Sequence, residues 1–174
     1  LYLDADLIVV GPLDELVERV SDLGGVEGPV VAAVARDSGE HLREYEFQSD
    51  KYFNAGVLLV NLEAWRARGI QEKSFKRATE LFGHLHLWDQ DVLNLVLEDE
   101  WFELPGKFNE SIVEGINPDS RIIHFVGATK PWMFGASHPF RVDYLRHRSA
   151  TPFRLYFYAG LGKYLRRWLP RPLQ

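Results

Sequence analysis

Leu1-Tyr2-Leu3-Asp4-Ala5-Asp6-Leu7-Ile8-Val9-Val10 is an apolar run interrupted by two carboxylates one residue apart. A stretch this rich in Leu, Ile and Val reads as a buried strand, and aspartate is among the residues that strands tolerate least. If both aspartates sit where the strand is ending, the period of two sends both side chains to one side and Ala5 to the other. Two hard oxygen ligands then converge on one point. Such a pair suits a divalent ion of the magnesium or manganese kind, which leaves positions open for substrate phosphates. The same residues also fit a strand followed by a polar turn, because Gly11-Pro12 comes just after, and the short D-x-D pattern alone does not separate the two.

Beyond this run the chain alternates strand and helix signals. Asp14 to Val20 reads as a short helix, and Val30 to Val34 as a second buried strand that ends at Ala35-Arg36-Asp37. Ligands in open α/β sheets bind at the carboxyl ends of strands, so Asp37 is either a substrate contact or a solvated loop residue. Glu40 to Lys51 is polar and reads as a stretch running over the surface. Tyr52 to Asn61 is a third strand, with Gly56 permitting close backbone approach by another element or a ligand. Asn61 is a natural N-cap for a helix over Leu62 to Arg68, and a further helix is expected over Glu72 to Leu81. This order points to an α/β sandwich.

The 174 residues are 46% hydrophobic, enough apolar material for one domain with a real core. With no cysteine, disulfides and thiolate metal sites are excluded. No run approaches the roughly 18 uninterrupted apolar residues of a spanning helix. The net charge of −5 is unevenly spread: residues 1–140 hold 12 Lys/Arg against 24 Asp/Glu, and residues 141–174 hold 8 Lys/Arg against Asp143 alone. The division therefore falls into a body, 1–140, and a basic aromatic tail, 141–174. The acidic body argues against nucleic acid. From Phe153 to Trp168 a helical wheel gathers aromatic residues and leucines on one face with Lys163, Arg166 and Arg167 off it, the pattern of a helix lying on an anionic membrane surface or packed against the body.

Two later stretches carry further chemistry. Asp89-Gln90-Asp91 opens an apolar pattern at helical spacing, and acidic residues at a helix N-terminus ordinarily complement its dipole, which accounts for about one of the three. Arg121 to Trp132 is a strand ending in His124, followed by Gly127 and Lys130 in one loop. Histidine ligates metals beside carboxylates, and glycine with lysine suits a phosphate through open N–H groups and a point charge. Matched with Asp4 and Asp6 at another strand end, this loop points to a metal-diphosphate site.

Taken in order, LYLDAD, FNAGVLLVNLEAW, DQDVLN, LPGKFN and HFVGATKPW resemble the motifs of glycosyltransferase family 8, the family of glycogenin and of bacterial lipopolysaccharide galactosyl- and glucosyltransferases. The resemblance covers residues 1 to about 132. It implies a Rossmann-like A-type α/β fold with a mixed, mainly parallel sheet, here lacking the first nucleotide-binding strands, so the chain reads as part of a longer protein and is expected to be inactive by itself. It implies transfer of glucose or galactose from UDP-glucose or UDP-galactose, with retention of configuration, to a saccharide or lipid-linked saccharide, using Mn2+ or else Mg2+. Residue by residue, Asp4, Asp6 and His124 would hold the metal, Gly127 and Lys130 the diphosphate, and Ala5 would lie by the ribose. Asp37, Asn54, Asp89 and Gln90 would surround the donor sugar, with Gln90 near its anomeric carbon.

An uncharged amide is a poor nucleophile, which favours same-face attack by the acceptor hydroxyl with Gln90 stabilising positive charge, Asp89 being the rival for a covalent role. The resemblance places the protein in the cytoplasm, at the inner membrane face if the tail binds lipid. Two other readings stand beside it: an aspartate-nucleophile phosphatase, disfavoured because Leu7-Ile8 follows the aspartates, and a non-catalytic sugar-nucleotide or membrane-surface binding module.

Overall fold

Strands β3 (Val31–Arg36) and β4 (Tyr52–Val60) carry the core, because both are apolar on both faces. They are described here from a computed structural model, which covers residues 1–36, 39–111, 117–133 and 135–153. On one face Ala32, Val34, Val57 and Leu59 pack with Leu16, Leu104, Phe108 and Ile122; on the other Val31, Ala33, Phe53, Ala55 and Leu58 pack with Ala64, Ile70 and Leu97. The second face is covered by helices α2 (Leu62–Ala67), α3 (Ile70–Glu80) and α4 (Asp89–Leu97). The first is covered by α1 (Asp14–Glu18) and by a ribbon of β2 (Leu7–Val9) with β6 (Ile122–His124). A sheet buried between two layers is the α/β sandwich expected.

The main sheet has the order β1-β4-β3-β5, with β1 at Tyr2–Leu3 and β5 at Trp101–Glu103. It is mixed: β3 runs parallel to β5 and antiparallel to β4, and β4 is antiparallel to β1. Among the described strands antiparallel pairing therefore predominates, a difference from the mainly parallel balance expected. The physical reason is the connection from β3 to β4, whose described part holds a 3-10 segment (Glu40–Tyr45) and no crossover helix of the kind parallel neighbours need. That connection is also more than a polar surface stretch, since Leu42 and Phe47 are buried against Tyr52.

The opening run is not one strand. It divides at Asp4-Ala5-Asp6 into β1, which joins the main sheet, and β2, which joins the ribbon. β4 is interrupted too. Ala33 pairs with Leu58, but the next residue, Val34, pairs with Asn54, so Ala55, Gly56 and Val57 bulge out of the β3 ladder. The bulge moves the alternation by one, which is why Phe53, Ala55 and Leu58 share a face. It also frees the N–H groups of Ala55 and Gly56 for side chains.

Asn61 caps α2 as expected: its Oδ1 accepts from Ala64 N at 3.1 Å, while its Nδ2 reaches the Leu23 and Gly25 carbonyls at 3.1 and 2.9 Å. Beyond the ribbon, α5 (Arg141–Ser149) seats Tyr144 against Phe125, Ile8 and Ile123. No helix among the described residues is long and apolar enough to cross a membrane. Asp37 and, apart from Phe153, the aromatic helix expected through Trp168 lie outside the described residues.

Candidate active site

Where the chain crosses from β1 to β2, two backbone bonds pin the turn: Asp4 N donates to the Gly56 carbonyl and Phe125 N donates to the Asp6 carbonyl, both at 2.9 Å. Asp4 is thereby tied to β4 and Asp6 to the end of β6. Leu7 pairs with His124, the last residue of β6. Asp4, Asp6 and His124 consequently each offer a ligand atom within 4.8 Å of the others. The aspartates converge as expected, but a turn between two sheets brings them together, and not the period of one strand. His124 Nε2 lies 3.2 Å from Asp6 Oδ1 and 3.5 Å from Asp4 Oδ2.

Gly56 makes room for this. A Cβ there would stand 2.1 Å from His124 Cε1, so the close approach permitted by glycine is to the imidazole ring.

The charges are arranged to keep the cluster ready for a cation. Burial pushes His124 below its usual range, outweighing the pull of Asp6 and Asp4, and a neutral imidazole is the form that ligates metals. Burial would raise Asp6, but the Lys130 ammonium bonded to its Oδ2 brings it below the ordinary carboxylate range. Tyr2 is pushed up to about 12, first because its hydroxyl donates to Asp4 Oδ1 at 2.7 Å. Two carboxylate side chains and one imidazole fit a divalent ion that accepts both oxygen and nitrogen.

The cluster opens into a cleft of about 620 Å³ whose lining includes Asp6, Asn54, Gln90, His124, Gly127 and Lys130. Gly127 has φ +82° and open space where a Cβ would stand, so backbone conformation and not crowding calls for glycine there. Asn54 Nδ2 donates to Gln90 Oε1 at 2.7 Å, and Ala55 N donates to the same oxygen at 3.0 Å. Gln90 Nε2 donates to the Tyr52 hydroxyl at 2.9 Å, and that hydroxyl donates to Asp91 Oδ1 at 2.7 Å.

Three expected residues stand outside the cleft lining, Asp4 of the cluster among them. Asp89 is exposed in the first turn of α4, beside a neighbouring apolar groove that includes Trp65, Trp88 and Leu93, and Ala5 is exposed in the turn between the aspartates.

Other residues in or behind the cleft carry no sequence expectation. Arg36, Tyr52, His41 and His86 line it. The two histidine rings stack at 5.3 Å. Asp91 is fully buried and accepts from His86 N, Leu87 N and Tyr52, with His41 Nε2 at 2.8 Å. It ties down the segment before α4 and does not cap the helix. Asn109, the last residue of LPGKFN, is buried with its Oδ1 3.0 Å from His124 Nδ1. A polar residue at the end of an apolar motif was the one signal for it in the sequence.

The family model for Glycosyl transferase family 8 matches residues 1–135. A lipopolysaccharide 1,2-glucosyltransferase of Escherichia coli is 34% identical over 88% of this chain and 50% of its own length. General stress protein A of Bacillus subtilis is 31% identical over 87% of the chain and 58% of its own length. The chain thus spans about half the length of these curated relatives. The crystal structure of the galactosyltransferase LgtC with donor and acceptor sugar analogs superposes with a TM-score of 0.72 at 21% identity, covering 87% of this chain and 60% of that one, which shows a common fold.

Proposed function

The chain belongs to Glycosyl transferase family 8, and from that premise we propose that it supplies the metal and donor-sugar half of a retaining UDP-hexose transferase. The donor is UDP-glucose or UDP-galactose, and the acceptor is a saccharide or lipid-linked saccharide. The observation that carries this reading is the Asp4, Asp6 and His124 cluster, with Lys130 beside it, opening into a polar cleft.

Asp4, Asp6 and His124 would hold the metal, and the nitrogen in that set favours Mn2+ over Mg2+, which prefers oxygen alone. When bound, the ion supplies Lewis-acid stabilisation of the diphosphate oxygens as UDP departs. Lys130 adds a positive charge at the same edge of the cleft, where the glycosidic oxygen of UDP becomes an oxyanion. Gly127 leaves its backbone open to the phosphates. Asn54 and Gln90 orient the hexose.

The bond from the anomeric carbon to the UDP oxygen breaks, the acceptor oxygen bonds to that carbon from the same face, and the acceptor's proton passes to the departing phosphate oxygen. The Gln90 carbonyl already accepts two hydrogen bonds, which disfavours it as a nucleophile and favours an electrostatic role. Asp89, exposed outside the cleft, gains no support as the covalent alternative. Asp37 remains an expected sugar contact, and Ala5 an expected neighbour of the ribose.

The test is release of UDP from UDP-glucose and UDP-galactose by the whole protein, with and without Mn2+. Asp6→Ala is expected to lower metal-dependent turnover at least 100-fold, on the scale of losing a metal ligand or its support, while leaving the thermal transition near that of the wild type. Undiminished turnover at saturating Mn2+ would remove Asp6 from the site.

A further inference from the structure

His124 has two ring nitrogens and only Nε2 faces the carboxylates, so its use as a ligand depends on where the ring carries its proton. Left to themselves, Asp6 and Asp4 at 3.2 and 3.5 Å favour a proton on Nε2, which would stand in the way of a metal. We propose that Asn109 is a positioning residue for the metal site, its amide oxygen holding the His124 proton on Nδ1 so that Nε2 presents a lone pair to the point shared with Asp4 and Asp6. This deepens the metal reading above and rests on it.

The polarity of the amide network is settled by groups that can only donate. Gly56 N lies 3.0 Å from one amide atom of Asn54, so that atom is the oxygen. Asn109 approaches this same oxygen at 2.7 Å and must do so with its NH2 group. Its own oxygen is thereby turned to His124 Nδ1 at 3.0 Å, where it can accept a proton and cannot supply one. Ala55 N makes the same count from the other side, since it defines Gln90 Oε1 as an oxygen and hence the Asn54 atom facing it as NH2.

The bulge in β4 exposes the two N–H groups that start both counts. Asn109 itself cannot swing away, being fully buried, with its backbone oxygen bonded to Arg36 Nη2. A backbone irregularity thus sets the proton on an imidazole three hydrogen bonds away. Second partners of this kind fix the tautomer and orientation of ligating histidines and typically change metal affinity 10- to 100-fold.

The experiment measures Mn2+ affinity of the whole protein by calorimetry, for wild type, Asn109→Leu and Asp6→Ala. It adds nitrogen-15 NMR of His124 with Cd2+ as a diamagnetic probe. Asn109→Leu, with the same branching but without an acceptor, is expected to weaken Mn2+ binding 10- to 100-fold. The Cd2+-loaded wild type should show a slowly exchanging Nδ1 proton, a result that does not depend on either variant folding. A Cd2+-bonded Nδ1, or equal affinity of Asn109→Leu and wild type while Asp6→Ala loses binding, overturns the role of Asn109 and leaves the metal site standing. Undiminished binding by Asp6→Ala overturns the metal reading, and this inference with it.

Discussion

Asp91 shows how much of the site hangs on one residue that touches none of the expected ligands. Burial would raise its pKa, but the N–H of Leu87, then His41 and Tyr52, outweigh it and hold the carboxyl below its ordinary value of 3.8. A depressed carboxylate contributes stability that is fully present above its unfolded pKa and is lost as pH falls through the folded one. Asp91→Asn offers an NH2 either to two backbone N–H groups or to Tyr52 and His41, leaving donors facing donors on one side. Losing two hydrogen bonds to a charged acceptor is expected to cost about 3 kcal/mol near neutral pH. Urea unfolding of both proteins from pH 7 down to pH 3 checks it: the gap should be full at pH 7 and shrink below about pH 4. A gap that widened in acid would mean that Asp91 is not ionised in the folded state. None of this was legible from Asp89-Gln90-Asp91 alone, because a helix-dipole role and a buried anchor ask for the same residue type at the same spacing.

At the scale of elements, the legible parts were those where one local rule decides. Asn61 was readable because a cap needs only a side-chain oxygen three residues before its N–H partner, and the Asn61 to Ala64 bond obeys that spacing. Val57 to Val60 was readable from continuous apolar character, and His124 from its place at a strand end. The breaks were not. The split between β1 and β2 and the bulge at Ala55 to Val57 depend on which strand lies alongside, a non-local fact that propensity does not encode. The residues of the Asp4, Asp6 and His124 cluster could accordingly be named from motifs, while the Asn54, Gln90 and Asn109 network that braces it could not.

Asn61 also does more than cap, since its NH2 group gathers the carbonyls of the loop before β3. Asn61→Ala is therefore expected to cost more than the ~1 kcal/mol of a lost cap, about 2 kcal/mol once the loop carbonyls lose their donor. Asn61→Ser, which keeps a cap oxygen and turns no second acceptor on the loop carbonyls, should recover roughly half. Chemical denaturation of the three proteins separates the two contributions, and an Asn61→Ser protein no more stable than Asn61→Ala would show that the cap contributes nothing.

For the molecule as a whole, the unevenness of charge is the feature that the site does not use. α5 packs Tyr144 on Phe125, and Arg148 is buried with its Nε bonded to the Phe153 carbonyl. From residue 154 onward the sequence holds five Lys/Arg and no Asp/Glu. We propose that this segment binds anionic membranes. At about 1 kcal/mol per basic residue near an anionic surface, five charges outweigh the repulsion of an acidic body held beyond a Debye length of about 8 Å at physiological salt. Tyr156, Phe157, Leu161 and Trp168 would add an apolar contribution that salt does not screen. The check is co-sedimentation with vesicles of anionic or neutral lipid, comparing the 174-residue chain with one ending at Phe153. The longer chain should pellet with anionic vesicles, less so at high salt but still measurably, and the shorter one should stay in the supernatant. Equal partitioning of the two would assign the tail's aromatic face to packing against the protein itself.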